Sequence, residues 1–317
     1  MNPKHPMYIV SKGRAVEGVT TKYFNKMRIP HYIAVEPQDM EDYEKTKGPY
    51  TTLLELPFSN HGDGPGRARN WVWDHSKEEL GAESHWVFDD NIAGFLRLHK
   101  NVRLRISDGS LFRFCEEFID RYENVPVSGL QYRAFIAPTS FYPPYVKNTR
   151  IYSALLIRND CEFRWRGRYN EDTDLSLRVL KAGQCTIQFN ILLQEKMVTQ
   201  ALKGGNTAEF YHAEGDQSNW SKDPKKSYEG TIKKSQMLVD LHPDVCRIEE
   251  KWGRIHHYCD YGPFKANKLI LKPEFEGILD EPYTPNEYGM KLCKTTKDGD
   301  YVQAYDSIED GFNTLDW

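Results

Sequence analysis

Three residues with oxygen-bearing side chains, Asp89-Asp90-Asn91, close a short apolar run at 85–88. Oxygen ligands grouped at a strand end suit a hard divalent cation, Mg²⁺ or Mn²⁺, bridging a diphosphate. Such a cation neutralises the charge that grows on a departing nucleotide. A second acidic group, Glu171-Asp172-Thr173-Asp174, opens a stretch of helical periodicity, where the helix dipole favours ionised carboxylates in the first turn. One of these carboxylates, facing a cleft, can take the proton of an attacking hydroxyl. Taken singly, the first group also reads as a capped polar turn and the second as a solvated helix start. Their order along the chain is what makes them informative.

The elements that must position these groups follow from the apolar runs around them. Runs at 7–11 and 31–35 are each stopped by polar turn residues and predict buried parallel strands, with a helix at 19–27 between them and a third strand at 52–56. Asp63-Gly64-Pro65-Gly66 marks a turn and a helix start. Strand 85–88 then delivers residues 89–91 to the carboxyl edge of the sheet, where open α/β sheets collect their ligands. Less regular strands at 125–130, 132–137 and 150–158, a helix from Glu171 to a stop at Gly183, and a strand at 186–193 predict a mixed central sheet. At 317 residues the simplest organisation is one α/β catalytic domain over 1–261. Turn and acidic residues dominate from 262 to 317, which reads as a C-terminal extension.

Composition narrows the possible functions. The formal charge of −4 argues against a protein that merely coats nucleic acid, because that affinity is built from phosphate neutralisation. Local basic rims at 97–105 and 164–168 remain compatible with it. The six cysteines form no CxxC pair and predict reduced thiols. His256, His257 and Cys259 are crowded on one short segment and do not close a zinc tetrahedron by themselves. No apolar stretch approaches the roughly 20 residues that span a bilayer, and the N-terminus lacks a secretory pattern, so a cytoplasmic protein with no membrane role is expected.

The ordered motifs resemble those of GT-A (Rossmann-like) glycosyltransferases. Gly66-Arg67-Ala68-Arg69-Asn70 is similar to a Gly-x-Ala-Arg-Asn stretch of that superfamily, Trp86-Val87-Phe88-Asp89-Asp90-Asn91 to its metal motif, and Glu171-Asp172 to its Glu-Asp motif. With Tyr8-Ile9-Val10-Ser11-Lys12-Gly13-Arg14, the set most resembles the TET/JBP-associated glycosyltransferases of phages, over roughly residues 7–260. Asn91 departs from the strict Asp-x-Asp pattern.

The resemblance implies an inverting, metal-dependent transfer from a UDP-sugar. Ser11, Lys12, Arg14, Glu36, Arg67, Arg69 and Asp89 would bind the donor. Asp89, Asp90, Asn91 and His212 would hold Mn²⁺ or Mg²⁺, with His242, His256 and His257 as rivals to His212. Asp172, beside Glu171, would be the base. In phage members the implied acceptor is the hydroxymethyl group of a modified cytosine in DNA, reached by base flipping in a host cytoplasm. Trp165 and Tyr169 beside Arg164, Arg166 and Arg168 would then receive the base and its phosphates. Three other readings fit the same residues: transfer to a protein or small molecule, a nucleotidyltransferase, and a non-catalytic domain that binds DNA or protein. The sugar and the oligomeric state are not legible.

Overall fold

The computed structural model describes residues 2–99, 102–137, 142–197, 229–251 and 254–276. In chain order the elements are β1 (Met7–Val10), α1 (Val19–Lys26), β2 (His31–Val35), α2 (Met40–Thr46), β3 (Thr51–Glu55), α3 (Gly66–Asp74), β4 (Ser84–Asp89), β5 (Ile92–His99), β6 (Val102–Arg105), α4 (Ser110–Ile119), β7 (Val127–Tyr132), β8 (Tyr145–Lys147), β9 (Ala154–Arg158), α5 (Glu171–Lys181), β10 (Thr186–Lys196), α6 (Glu229–Leu241), β11 (Cys246–Lys251) and β12 (Arg254–Cys259).

Among the described residues ten strands form one sheet, in the order β3-β2-β1-β4-β9-β7-β10-β5-β6 with β8 added on β10. β3, β2, β1 and β4 run parallel, β9 enters antiparallel between β4 and β7, and β7 and β10 are again parallel. This is the mixed α/β sheet expected from the sequence.

Helices cover both faces, which is why the parallel strands are apolar on both sides. On one face α1 and α4 bring Phe24 and Phe112 against Trp86, Phe88 and Phe95. Phe24 stacks on Phe95 at 5.5 Å, and Phe88 meets Phe24 edge-on at 5.0 Å. On the other face α3 and α5 bring Trp73, Leu175 and Val179 onto Val87 and Leu155. The strand pleat alternates between the two layers. Trp86 and Phe88 belong to the first and Val87 to the second, so Asp89 emerges on the side of α3 and α5.

Three expectations shift. The basic stretch around 97–105 is the antiparallel β5–β6 hairpin at the sheet edge, where Arg105 pairs with Glu195 at 2.5 Å and Arg103 donates to the Ile136 carbonyl. In place of a strand at 132–137 the chain makes a 3-10 turn over Arg133–Phe135. β9 starts only at Ala154 because Ser153 takes a φ of 67°, outside strand geometry.

Residues 262–276 fold back onto the body: Asn267 Nδ2 donates to the carbonyls of Leu180 and Gln184 at 2.8 Å each, and Leu271 bridges to Tyr122. Among the described residues no helix is long and apolar enough to cross a membrane.

Candidate active site

A cleft of about 960 Å³ opens over the carboxyl ends of β1 to β4 and runs past the start of α5 to the β11–β12 hairpin. Eight lysines and arginines line it against six carboxylates, Asp90 among them turned inward, so the cleft carries positive charge although the chain as a whole is acidic.

The turn after β4 is pinned by α1. The backbone N–H groups of Val19 and Thr20 donate to the Asp90 carbonyl at 3.0 and 3.2 Å, while Thr20 Oγ1 donates to the Asp89 carbonyl at 2.7 Å. Asp90 points into the protein. Its Oδ2 accepts from Ser11 Oγ at 2.6 Å and its Oδ1 from Arg14 Nη1 at 2.6 Å, and Ser11 Oγ lies 2.6 Å from the Tyr43 hydroxyl. Beside them Lys12 pairs with Glu36 at 3.1 Å, and Arg67 forms an exposed pair with Asp63 at 2.7 Å. Ser11, Lys12, Arg14, Glu36, Arg67, Arg69 and Asp89 thus share one cleft, as the sequence led one to expect.

Two letters of the Gly-Arg-Ala-Arg-Asn stretch tie the site together. A Cβ at Gly66 would meet Trp165 at 3.7 Å, an ordinary van der Waals contact, so packing does not require glycine there. Asn70 clamps the backbone of Trp165 from both sides, Nδ2 donating to its carbonyl and Oδ1 accepting from its N–H. Arg69 is buried. It donates to Asp89 Oδ1 at 2.7 Å, pairs with Glu171 Oε1 at 2.9 Å, and lies over the Trp165 ring at 4.6 Å. One guanidinium therefore joins the two acidic motifs. The other oxygen of Asp89 accepts from the Lys196 ammonium, which also donates to Ser153 Oγ at 2.6 Å. Burial opposes ionisation of Asp89, but Lys196 and Arg69 together hold its carboxyl well below the usual range. Glu171 goes the other way. Burial, with Asp172 and Asp89 nearby, outweighs Arg69 and raises it to about 7.

α5 begins after Asn170, which takes a left-handed φ of 49°, a conformation Asn tolerates, and is tied to the Lys234 carbonyl at 2.8 Å. Asp172 lines the cleft. Its Oδ1 accepts from the Thr173 N–H at 2.7 Å, and among the described residues its Oδ2 has no hydrogen-bond partner. Asp174, by contrast, is fully buried and accepts from Arg166, Arg178 and His242, at 3.0, 2.9 and 2.9 Å.

Those contacts correct the expected acceptor patch. Trp165 is buried beneath Arg69 and offers no stacking face. Arg164 pairs with Asp74, lies over Trp73 and donates to the Asn70 carbonyl, and Arg166 is drawn onto Asp174. Arg168 and Tyr169, in contact with each other at 5.6 Å, do face the cleft.

The residues proposed to hold a metal fit it poorly. Both oxygens of Asp89 are matched by cations and both of Asp90 by Ser11 and Arg14, which leaves the neutral Asn91 Oδ1, buried and without a hydrogen-bond partner among the described residues. A hard cation wants several anionic oxygens. Among the described residues no three His, Cys, Asp or Glu side chains gather in a metal-binding group. His212 lies outside the described residues. His242 is committed to Asp174. Pleating on β12 sends His256 to the opposite face from His257 and Cys259.

Reasoning from sequence missed Lys196, Arg150, Tyr132, Tyr152 and Phe135, all of which line the cleft. Tyr132 lies 4.4 Å from Tyr152 and 5.6 Å from Phe135, and together they make an aromatic wall. The available signal for Lys196 was a charge closing an apolar strand, the same signal that marked Asp89. A bulge between Gln194 and Lys196 breaks the alternation and re-aims that side chain.

A family model described as TET-Associated Glycosyltransferase matches residues 5–205. No curated protein matches the chain. Among solved structures, a glucosyl-3-phosphoglycerate synthase from Mycobacterium tuberculosis, crystallised with Mg²⁺ and uridine diphosphate, is similar at 8% identity, with 81% of this chain and 88% of that one covered and a TM-score of 0.42. A mycobacterial protein matches at 8% identity, 81% and 84% coverage and a TM-score of 0.43. GlyE of Streptococcus pneumoniae TIGR4 matches at 12% identity, 76% and 51% coverage and a TM-score of 0.26.

Proposed function

The chain belongs to the TET-associated glycosyltransferase family, and we propose that it transfers a sugar with inversion from a UDP-sugar to a hydroxyl acceptor, Asp172 serving as the base. The observation that carries this reading is the placement of Asp172: a carboxylate at the start of α5, one oxygen fixed by the Thr173 N–H and the other without a partner among the described residues, on the same cleft as Arg69 and Lys196. In the reaction the acceptor oxygen attacks the anomeric carbon as its proton passes to Asp172. The bond from that carbon to the diphosphate oxygen breaks, and its electron pair leaves with UDP. Attack opposite the leaving group inverts the centre.

For the donor, the strand-end residues Ser11, Lys12 and Glu36 are assigned to the nucleoside end, and Arg69 to the diphosphate end. A nucleotidyltransferase is less well served, because after β1 the side chains of Ser11 and Arg14 are spent on Asp90 rather than on a phosphate-cradling loop.

For the acceptor, the reading is the hydroxymethyl group of a modified cytosine in DNA. Its support is the family resemblance, together with an aromatic wall of Tyr132, Tyr152 and Phe135 beside Arg150, with Arg168 lining the same cleft, the kind of lining that stacks an extruded base. The test is mass spectrometry of hydroxymethylated DNA after incubation with a panel of UDP-sugars, with release of UDP measured in parallel. A mass increase of one hexose or pentose on the base is expected. UDP release with sugar found only on protein or small-molecule acceptors overturns the DNA assignment and leaves the transfer reading in place.

A further inference from the structure

We propose that Lys196, with Arg69, supplies the positive charge that balances the donor diphosphate in this chain, so that UDP binding and sugar transfer need no divalent cation. The inference rests on the transfer reading above and concerns how the same cleft carries charge. Its basis is the mismatch between the acidic triplet and the requirements of a metal.

Lys196 reaches the cleft through the bulge that ends β10. Its ammonium is held against Asp89 Oδ2 and 2.6 Å from Ser153 Oγ, 5.8 Å from the Tyr132 ring centre. The side chain is 16% exposed, and that of Asp89 22%, so the pair is open on the cleft side. Arg69 occupies the other oxygen of the same carboxylate. A divalent ion bound to Asp89 would lie beside two fixed positive charges, and within the acidic triplet the neutral oxygen of Asn91 is all that is left to add, because Asp90 is turned inward onto Ser11 and Arg14. The placement that makes a metal unwelcome suits an incoming diphosphate. Two cations, Lys196 and Arg69, share the one carboxylate of Asp89, Arg69 meeting Glu171 as well, and fixed cations aimed at developing negative charge do the work a metal ion does in other sites. The balance is complete without a further proton: the electron pair of the breaking bond settles on the β-phosphate oxygen, whose charge Lys196 and Arg69 would offset.

Lys12 and Arg14 are placed less well for this role. Lys12 is paired with Glu36 and Arg14 with Asp90, and both lie at the β1 end.

The test is calorimetric titration of UDP and of uridine into the full chain in EDTA, repeated with Mn²⁺ or Mg²⁺, for the wild type, Lys196→Met and Lys196→Arg. In EDTA the wild type should bind UDP about 10- to 100-fold more tightly than uridine, the margin expected of charge-assisted hydrogen bonds to the diphosphate. Lys196→Met should lose most of that margin while keeping its affinity for uridine, and Lys196→Arg should retain it. UDP release from the donor by the wild type should be equal in EDTA and in metal. A preference for UDP that appears only with metal and survives in Lys196→Met overturns the inference and leaves the transfer reading standing. If Lys196→Met does not fold, the wild type in EDTA against metal still decides. Absence of UDP binding and of UDP release under both conditions overturns the transfer reading and this inference with it.

Discussion

The acidic group after β4 and the one at the start of α5 share a plan: each holds a carboxylate toward the cleft and spends another as a buried strut. Asp89 faces the cleft between Arg69 and Lys196, while Asp90, one residue on, is locked by Ser11 and Arg14. Asp172 faces the cleft, while Asp174, two residues on, is enclosed by Arg166, Arg178 and His242. In each case the period of the element decides which is which. A strand end reverses direction at every residue, and on a helix two residues are separated by roughly 200°. Neighbouring letters of an acidic motif therefore belong to different layers of the molecule, and counting carboxylates overstates the ligands available to a metal.

The strongest way to break this comparison is to exchange the two roles on α5. Asp172→Asn keeps the shape but cannot accept a proton, and transfer should fall by about 10²- to 10⁴-fold with UDP affinity and thermal midpoint little changed. Near-normal turnover by Asp172→Asn, with loss in Glu171→Gln, would move the base by one residue. Asp174→Ala should act on the fold instead. It strands Arg166, Arg178 and His242 around an empty site, and removing one member of a buried ionic cluster costs about 3–5 kcal/mol. A denaturant titration measures this. If Asp174→Ala unfolds at the wild-type midpoint and has lost only activity, the division into strut and base is wrong.

A smaller effect is expected from pH, and it sharpens the contrast between Glu171 and its neighbours. Glu171 is raised from its ordinary 4.5 to about 7 by burial, against the pull of Arg69. A raised carboxyl favours the folded state in its protonated form, so its contribution is full below about 4.5 and is lost as pH rises through about 7. The buried histidines His31 and His85 have the opposite sign: burial lowers both to about 4, and their contribution is present above 6.5 and lost as pH falls. Comparing wild type with Glu171→Gln cancels the histidines. Between pH 8 and pH 5 the wild type should gain up to about 3 kcal/mol relative to the variant. Parallel curves from chemical denaturation would show that Arg69 keeps Glu171 ionised throughout.

The two halves of the site were unequally legible. β1, β2 and β4 are buried in a parallel sheet and so read as unbroken apolar runs, which is enough to place Ser11, Glu36 and Asp89 at one edge. The Arg-Asn helix and the acidic start of α5 were visible for the same reason: turn residues and helix signals bracket them. What the sequence concealed is set by non-local pairing. The β5–β6 hairpin alternates charge with apolar residues and looks like a basic rim until its arginines are seen to meet Glu195 and a carbonyl. Lys196 closes an apolar strand as Asp89 does, but the bulge that aims it into the cleft leaves no pattern in the letters. Trp165 between two arginines looks like a nucleic-acid platform, and only the packing of α3 against the 164–168 loop turns it into the floor under Arg69.

The smallest expected effect separates what remains of that platform from what was withdrawn. If hydroxymethylated DNA is the acceptor, each arginine that contacts a phosphate contributes about one to the slope of log affinity against log salt. Arg164 holds Asp74 and the backbone of α3, and Arg166 holds Asp174, so neither should carry a phosphate. Arg168 faces the cleft beside Tyr169. Arg168→Ala should therefore lower the slope by about one, whereas Arg164→Ala should leave it unchanged even where it lowers the thermal midpoint. Binding measured at several salt concentrations with the same hydroxymethylated duplex separates slope from stability, because a partly unfolded population lowers the apparent affinity equally at every salt. Equal losses of slope in Arg164→Ala and Arg168→Ala would restore Arg164 to the acceptor surface and undo its assignment as a strut. An unchanged slope in Arg168→Ala would remove the last basic residue of the 164–168 loop from any contact with DNA, and the phosphate contacts would then have to come from the aromatic-wall side of the cleft, where Arg150 stands over Tyr152.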